Sequence, residues 1–404
     1  MAPPDVNLRH FFALADIAKT GRVSSAAEIV CMSQSALTQA LRKLEELAGT
    51  TLFERAGFGV TETPAGGLLI RRATRAIDLL AQADREIRGK LLNERQTLPL
   101  QRHVKASQLR ALIAIVATGG YSFAARKLGL AQPSVHRAAK SLEDSLELEL
   151  FPRGAKGVEP NDAARSLARY AELVFGEIRQ GFEEVAELRG MTNSRIAIGC
   201  LPLARSEFLP AAVTQLLIKC PDARITILDG PYIEQLHALR YGQIDWLIGA
   251  LRDPLPTNDV VQEPLFNQSL AVVVRPGHPL LSTGAPGVDT LGKLDWIAPR
   301  PLAPARKLFN GLLERNGVPT PSHVIECGSL IATRALVRQS DRAALLSPLQ
   351  IREDIAAGQL ALLIESIPDT ERAIGLTTRR DWEPTMVQQQ FTGVLRKTVK
   401  RLGL

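Results

Sequence analysis

Residues 21–55 read GRVSSAAEIVCMSQSALTQALRKLEELAGTTLFER, and residues 119–153 read GGYSFAARKLGLAQPSVHRAAKSLEDSLELELFPR. The second stretch repeats the first at a shift of 98 residues. Extended outward, residues 11–71 align on 109–169 without a gap and with about 20 identities. Chance at ordinary composition gives only about 4 over such a length. A period near 100 residues is too long for a solenoid unit and only two copies occur, so the pattern is a duplicated small domain.

Each copy reads as three helices and a short β turn. In the first, Leu8, Phe11, Phe12, Leu14, Ala15 and Ile17 recur at helical spacing, and Thr20-Gly21 stops the run. Ser24 or Ser25 is expected to cap a second helix over 26–30. Ser33 caps a third, running to about Leu47. Thr51–Arg55 reads as a strand that turns at Ala56–Gly59 and returns at Val60. This is a winged helix-turn-helix pattern. A long helix follows each copy. Leu69, Ala73, Ala76-Ile77, Leu80, Ala83, Ile87 and Leu91 form one apolar stripe; Leu167, Tyr170-Ala171, Val174-Phe175, Ile178, Phe182 and Val185 form the other. Such a stripe outside a compact domain must be buried against a partner, as in a coiled coil.

In a helix-turn-helix, the second helix of the pair enters the major groove of DNA. Ser33, Gln34, Ser35 and Thr38 open that helix in the first copy, followed by Arg42. Gln132, Pro133, Ser134 and His136 open it in the second, followed by Arg137 and Lys140. Short polar side chains here reach phosphates or base edges, and helix N-terminal amides add phosphate binding. Pro133 suits the first helical position, where no amide partner is lost. Arg55 and Arg153 stand at the two wings, within reach of a phosphate. The net charge of +7 is spread evenly: residues 1–98 and 99–192 each carry 13 basic and 11 acidic residues, and the remainder 23 and 20. Locally it is not even, because residues 102–140 sum to +7 and residues 7–43 to +3. Phosphate attraction dominates non-specific affinity, so the second copy is expected to contribute at least as much binding as the first.

Beyond about Ser194, short apolar runs alternate with helical segments. Ile196–Ile198, Ile225–Leu228, Trp246–Ile248 and Leu270–Val274 read as buried parallel strands, and Pro210–Ile218, Tyr232–Tyr241 and Pro304–Asn316 as helices. The alternation means an α/β domain. Ligands in such sheets bind beyond the carboxyl ends of strands. Those ends carry Pro202, Arg205, Ser206, Arg252, Ser329 and Thr333. Either Arg suits an effector carboxylate, and the hydroxyls suit donation from helix starts; Asp245 reads as structural. The 6 His are scattered, and no phosphate-cradling glycine loop is present. No enzyme chemistry and no cofactor is expected. The 4 Cys lie far apart, against a zinc site or disulfide framework. No apolar run suffices to span a bilayer and no signal peptide is visible, so a cytoplasmic protein is expected, without a membrane partner.

The two quoted stretches resemble the N-terminal domain of LysR-type transcriptional regulators: the Ala-Ala pair, Ser-Gln or Ala-Gln at the third helix, Leu-Glu, and Leu-Phe-x-Arg keep the family's spacing. From about Ser194 the chain is similar to that family's effector domain, notably at Gly242–Gly249. The resemblance covers essentially the whole chain. It implies double-stranded DNA as a partner, a small-molecule effector such as an organic or aromatic acid or a sugar, and a homodimer or higher homo-oligomer. It also implies a mixed fold of two tandem winged helix-turn-helix domains (5–63 and 103–161). Each carries a linker helix (64–98 and 162–191), and a two-lobed, periplasmic-binding-protein-like effector domain follows (194–404). An ordinary member carries one winged helix. Ser35 replaces the usual Pro in the first copy, and Pro152 replaces Glu in the second, which predicts a reshaped second wing. The alternative function is a ligand-binding oligomerisation module whose winged helices no longer bind DNA.

Overall fold

The computed structural model describes residues 5–57, 59–89, 99–154, 157–191, 194–282, 288–301, 303–319, 321 and 324–404. The chain forms two compact units. The first holds Met1–Arg195 with the short pieces Asp222–Arg224 and Arg240–Gln243; the second holds the rest.

The first unit opens with α1 (Leu8–Thr20), α2 (Val23–Ile29) and α3 (Gln34–Ala48), then a hairpin of β1 (Phe53–Ala56) and β2 (Gly59–Glu62). The long helix α4 (Pro64–Arg88) follows. The same order returns as α5 (Ala106–Thr118), α6 (Tyr121–Leu128), α7 (Gln132–Leu146), β3 (Arg153–Gly154), β4 (Gly157–Val158) and α8 (Asp162–Leu188). Gly21 and Gly119 end the first helix of each set in the left-handed conformation, which costs a residue without Cβ nothing. Ser33 caps α3 by accepting from the Ala36 amide at 3.2 Å.

Two expectations change. Helix α2 starts at Val23, not at 26, and neither Ser24 nor Ser25 caps it. Arg22 is the extended residue directly before the helix, and its amide donates to the Thr20 hydroxyl at 3.4 Å. Pro133 occupies the second position of α7, since Gln132 is the first. The second wing has two-residue strands against four-residue strands in the first, the direction expected from Pro152. Leu91 and the end of the first expected linker lie outside the described residues.

The two apolar stripes bury each other. Leu69, Ala73, Ala76, Leu80 and Ala83 of α4 and Leu167, Ala171, Val174 and Ile178 of α8 are almost wholly buried in one core that runs through both sets of helices. The pairing is antiparallel and two-fold: Arg72 meets Glu184, and Glu86 meets Tyr170. Under the 98-residue shift Arg72 corresponds to Tyr170 and Glu86 to Glu184, so each contact is the other's mirror across a local axis. Arg71–Glu184 and Arg169–Glu86 obey the same relation.

The axis is broken by one buried cluster. Arg72 is fully buried and donates to both Glu184 oxygens at 2.9 and 2.7 Å, to Glu177 at 2.8 Å and to Gln180 at 3.2 Å. Burial alone would lower its pKa; the two carboxylates more than reverse this and hold it above its ordinary value. The counterparts of Arg72 and Glu177 are Tyr170 and Leu79, so the cluster has no duplicate across the axis. Gly181 permits the approach, since a Cβ there would stand 2.9 Å from Leu69 and 3.2 Å from the Arg72 side chain. Phe11 of α1 stacks on Phe182 of α8 with centroids 6.5 Å apart, tying the first set to the second helix.

The second unit contains two five-stranded mixed sheets. In chain order its elements are β5 (Arg195–Cys200), α9 (Phe208–Lys219), β6 (Arg224–Asp229), α10 (Tyr232–Arg240), β7 (Trp246–Ala250), β8 (Val260–Gln268), β9 (Ala271–Val274), β10 (Asp295–Ala298), α11 (Pro304–Arg315), β11 (Val324–Glu326), α12 (Leu330–Arg338), β12 (Arg342–Leu346), α13 (Arg352–Ala356), β13 (Ala361–Ile364), β14 (Arg372–Arg379) and α14 (Met386–Arg401). The strand orders are β6-β5-β7-β14-β8 and β11-β10-β12-β9-β13. The reading of β9 as a parallel strand is corrected: it runs antiparallel to both β12 and β13. The reading of 225–228 as buried is also corrected, because β6 is an edge strand with Ile227 and Leu228 exposed.

Breaking the buried cluster on one side should be costly and removing it whole should not. Arg72→Met is expected to destabilise the first unit by about 3 kcal/mol, because Glu177 and Glu184 lose their buried partner and keep only the more exposed Arg75 and Arg71. Combining it with Glu177→Leu and Glu184→Leu should recover most of that loss. All 3 Trp lie in the second unit, so urea unfolding of the first must be followed by far-UV circular dichroism.

Candidate nucleic-acid interface and ligand site

Helix α3 buries Leu37, Ala40, Leu44 and Ala48, which leaves the opposite face to solvent. Ser33, Gln34, Ser35, Gln39 and Arg42 are exposed there, and Thr38 is half-buried with its hydroxyl donating to the Gln34 carbonyl at 2.8 Å. Helix α7 buries Val135, Ala139, Leu142 and Leu146 in the same way. It exposes Gln132, Pro133, His136, Arg137 and Lys140, and half-buries Ser134. The sequence reading included Arg137 but passed over its counterpart Gln39, although both follow from the helical spacing.

Several of these side chains have local partners. Ser122 donates to the Gln132 carbonyl oxygen at 2.9 Å, and Arg137 donates to Ser134 at 3.4 Å. The His136 ring packs on Tyr121 with centroids 5.0 Å apart. Lys140 pairs with Asp144 one turn on, at 3.2 Å, an exposed pair that water and salt readily open. Arg55 and Arg153 are exposed on the two hairpins. The two sets thus present one exposed polar face each, on helices seated in a common core.

In the second unit the six expected ligand residues fare differently. Arg205 is half-exposed and already engaged, 3.1 Å from Asp229 and 3.3 Å from the Cys200 carbonyl. Ser329 caps α12 by accepting from the Ala332 amide at 3.3 Å. Thr333 is buried and donates to the Ser329 carbonyl at 2.9 Å. Pro202 and Ser206 are exposed. Asp245 is buried and accepts from the Ala197 amide at 2.8 Å, a structural role.

Arg252 is half-buried and donates to the Ala250 carbonyl at 3.2 Å. It lies just past the carboxyl end of β7, with its guanidinium 4.2 Å over the Tyr232 ring. The antiparallel pairing of β14 on β7, Ile374 opposite Ala250, brings Arg372 beside it. Arg372 was not legible in the sequence, being 120 residues away. Burial, then the positive charge of Arg252, lowers the pKa of Arg372; burial likewise lowers that of Arg252. Among the described residues neither has a carboxylate within ion-pair distance, and Arg372 Nε and the Tyr232 hydroxyl lack hydrogen-bond partners. Two desolvated cations and an unsatisfied phenol thus stand around one strand end.

Comparison with known proteins decides the family. The model of the lysR-family bacterial regulatory helix-turn-helix protein matches residues 8–67 and again 106–165. The LysR substrate binding domain model matches residues 189–400. The chain belongs to the LysR family of transcriptional regulators. It is 33% identical to the HTH-type transcriptional regulator GalR of Pseudomonas putida over 373 residues, 92% of each chain. The regulator PcaQ of Agrobacterium fabrum is 27% identical over 303 residues, which is 97% of PcaQ but 75% of this chain. These relatives are named as regulators, and the chain is a regulator, not an enzyme. In fold it is similar to a full-length OxyR variant from Pseudomonas aeruginosa, with TM-score 0.53 and 20% identity over 74% of this chain and 95% of that one. The full-length CbnR chain complexed with its target DNA gives TM-score 0.51 and 19% identity over 73% and 100%. Among the described residues no helix is long and apolar enough to cross a membrane.

The two kinds of site residue should separate in experiment. Ser329→Ala should cost about 1 kcal/mol of stability as a lost helix cap and leave ligand affinity unchanged. Arg252→Ala and Arg372→Ala should each abolish the thermal shift given by a bound carboxylic acid, with Arg205→Ala having the smaller effect. Equal loss in all three would place the anion elsewhere.

Proposed function

We propose that this LysR-family regulator binds double-stranded DNA sequence-specifically through two tandem winged helix-turn-helix domains carried on one chain. A small carboxylic acid, bound in a two-lobed, periplasmic-binding-protein-like domain, controls that binding. The observation that carries the reading is the two-fold antiparallel pairing of α4 and α8 inside a single chain. It relates the exposed faces of α3 and α7 by a local axis, the arrangement a two-half-site operator requires. The effector class rests on Arg252, Arg372 and Tyr232. An organic or aromatic acid fits them better than a neutral sugar, because a sugar leaves both cations unneutralised. The acid acts by favouring one arrangement of the protein over another. A cytoplasmic location goes with this function.

The apolar faces of α4 and α8 are consumed within the chain, so self-association uses another surface. Edge strand β6 with Ile227 and Leu228, beside the exposed Leu217, Ile218 and Ile233 of α9 and α10, supports a homodimer through the second unit. Such a dimer carries four DNA-reading helices.

Affinity of the full chain for duplex DNA should fall steeply with salt, and Arg55→Ala or Arg153→Ala should each reduce the log–log slope by about 1. A slope near zero in the parent chain would instead favour a ligand-binding oligomerisation module whose winged helices have lost DNA. A footprint confined to one half-site would contradict the paired reading.

A further inference from the structure

The helix-turn-helix cores of the two sets are alike at many buried positions, while the outward faces of α3 and α7 differ. Ala26-Ala27 and Ala124-Ala125, Leu44 and Leu142, and Leu52-Phe53 and Leu150-Phe151 are identical pairs and buried in both. Leu37 and Val135 differ by one methylene. The outward face reads Gln34, Ser35, the half-buried Thr38, Gln39 and Arg42 in α3, and Gln132, Pro133, His136, Arg137 and Lys140 in α7. Of these five pairs, Gln34 and Gln132 alone agree. The scaffold that aims each helix is thus held constant while its outward chemistry has changed.

The change has a chemical direction. Gln bonds bidentately to the N6 and N7 edge of adenine, and Arg to the O6 and N7 edge of guanine. Gln39 and Arg137 occupy the same place in the two helices, one turn and a half from the N-terminus, and both are exposed. The small Thr38 hydroxyl is tied to its own helix, whereas His136 is braced on Tyr121 and carries a ring that can donate. Ser35 leaves room at the helix start where Pro133 places a rigid apolar ring. Identical readers about a two-fold axis select a palindrome. Unlike readers about the same axis select two half-sites with dyad spacing and different sequences.

We propose that the operator of this protein is directional: α3 reads a half-site with adenine at the position facing Gln39, and α7 reads a different half-site with guanine at the position facing Arg137. Each chain therefore docks on the duplex in one orientation. This rests on the DNA-binding reading above and adds what kind of sequence is bound.

The test is selection of bound duplexes from a random library by the full chain, followed by sequencing. The expected result is two non-identical motifs in fixed order. Arg137→Gln should move the preferred base of one motif from guanine to adenine and leave the other motif as it was. Against the parent site, that variant should lose about 5- to 150-fold in affinity, the range of one bidentate pair. Gln39→Arg should do the converse on the first motif, and the double exchange should weaken the order preference. Both side chains are solvent-facing, so circular dichroism should be unchanged. Identical half-motifs within the element read by one chain, or an Arg137→Gln variant that alters both motifs or neither, would overturn the inference while leaving DNA binding intact. No enrichment, together with salt-independent affinity, overturns the DNA-binding reading and this inference with it.

Discussion

The fold of the first unit depends on one guanidinium held out of water. Arg72 has no solvent contact, and its charge is tolerated only because α8 delivers Glu177, Gln180 and Glu184 to it at successive turns. An unpaired buried charge costs several kcal/mol, so α4 cannot rest against an arbitrary apolar surface. The requirement reaches both helix sets, because α1 packs on α4 and α5 on α8 within the same core. Apolar burial supplies the bulk of the stabilisation. The ionic cluster supplies register and choice of partner.

That choice is built into the asymmetry. Pairing α8 with a second copy of itself would face Glu177 with Tyr170, leaving two buried carboxylates without Arg72. Pairing α4 with itself would keep a carboxylate, Glu86, and an amide, Gln82, for each Arg72 and lose Glu177, whose counterpart is Leu79. The heterotypic pair alone brings the full set together. Duplication followed by a few substitutions on one seam is sufficient to convert a self-complementary surface into a directed one.

Much of this was legible in the sequence. The repeat, the helix order, the Ser33 cap and the apolar stripes follow from spacing alone. That the stripes needed a partner was readable; that each is the other's partner was not, since periodicity specifies a face and not what covers it. Glu177, Gln180 and Glu184 fall at seam positions of α8, and polar residues at seam spacing were the available signal. The start of α2 was misread because Arg22 is its extended N-cap residue and no side chain caps the helix, so the two serines carry no start signal. The orientation of β9 and the exposure of β6 are set by neighbours distant in sequence, and an apolar run reads the same in either setting. Arg252 was found as a strand-end residue. Its companion Arg372 comes from an antiparallel strand that the βα alternation does not announce. Ser329 and Thr333 carry hydroxyls at a helix start that bond within the helix itself, a use the sequence pattern does not separate from ligand contact.

The intrachain pairing of α4 and α8 also removes a concentration term. When two reading heads must first find each other as separate molecules, the paired form grows with the square of the protein level at low abundance. Here the heads share a covalent chain, and their encounter is first order, at an effective concentration fixed by the connecting segment. On the proposed reading, occupancy of a two-half-site element by one chain follows protein copy number linearly.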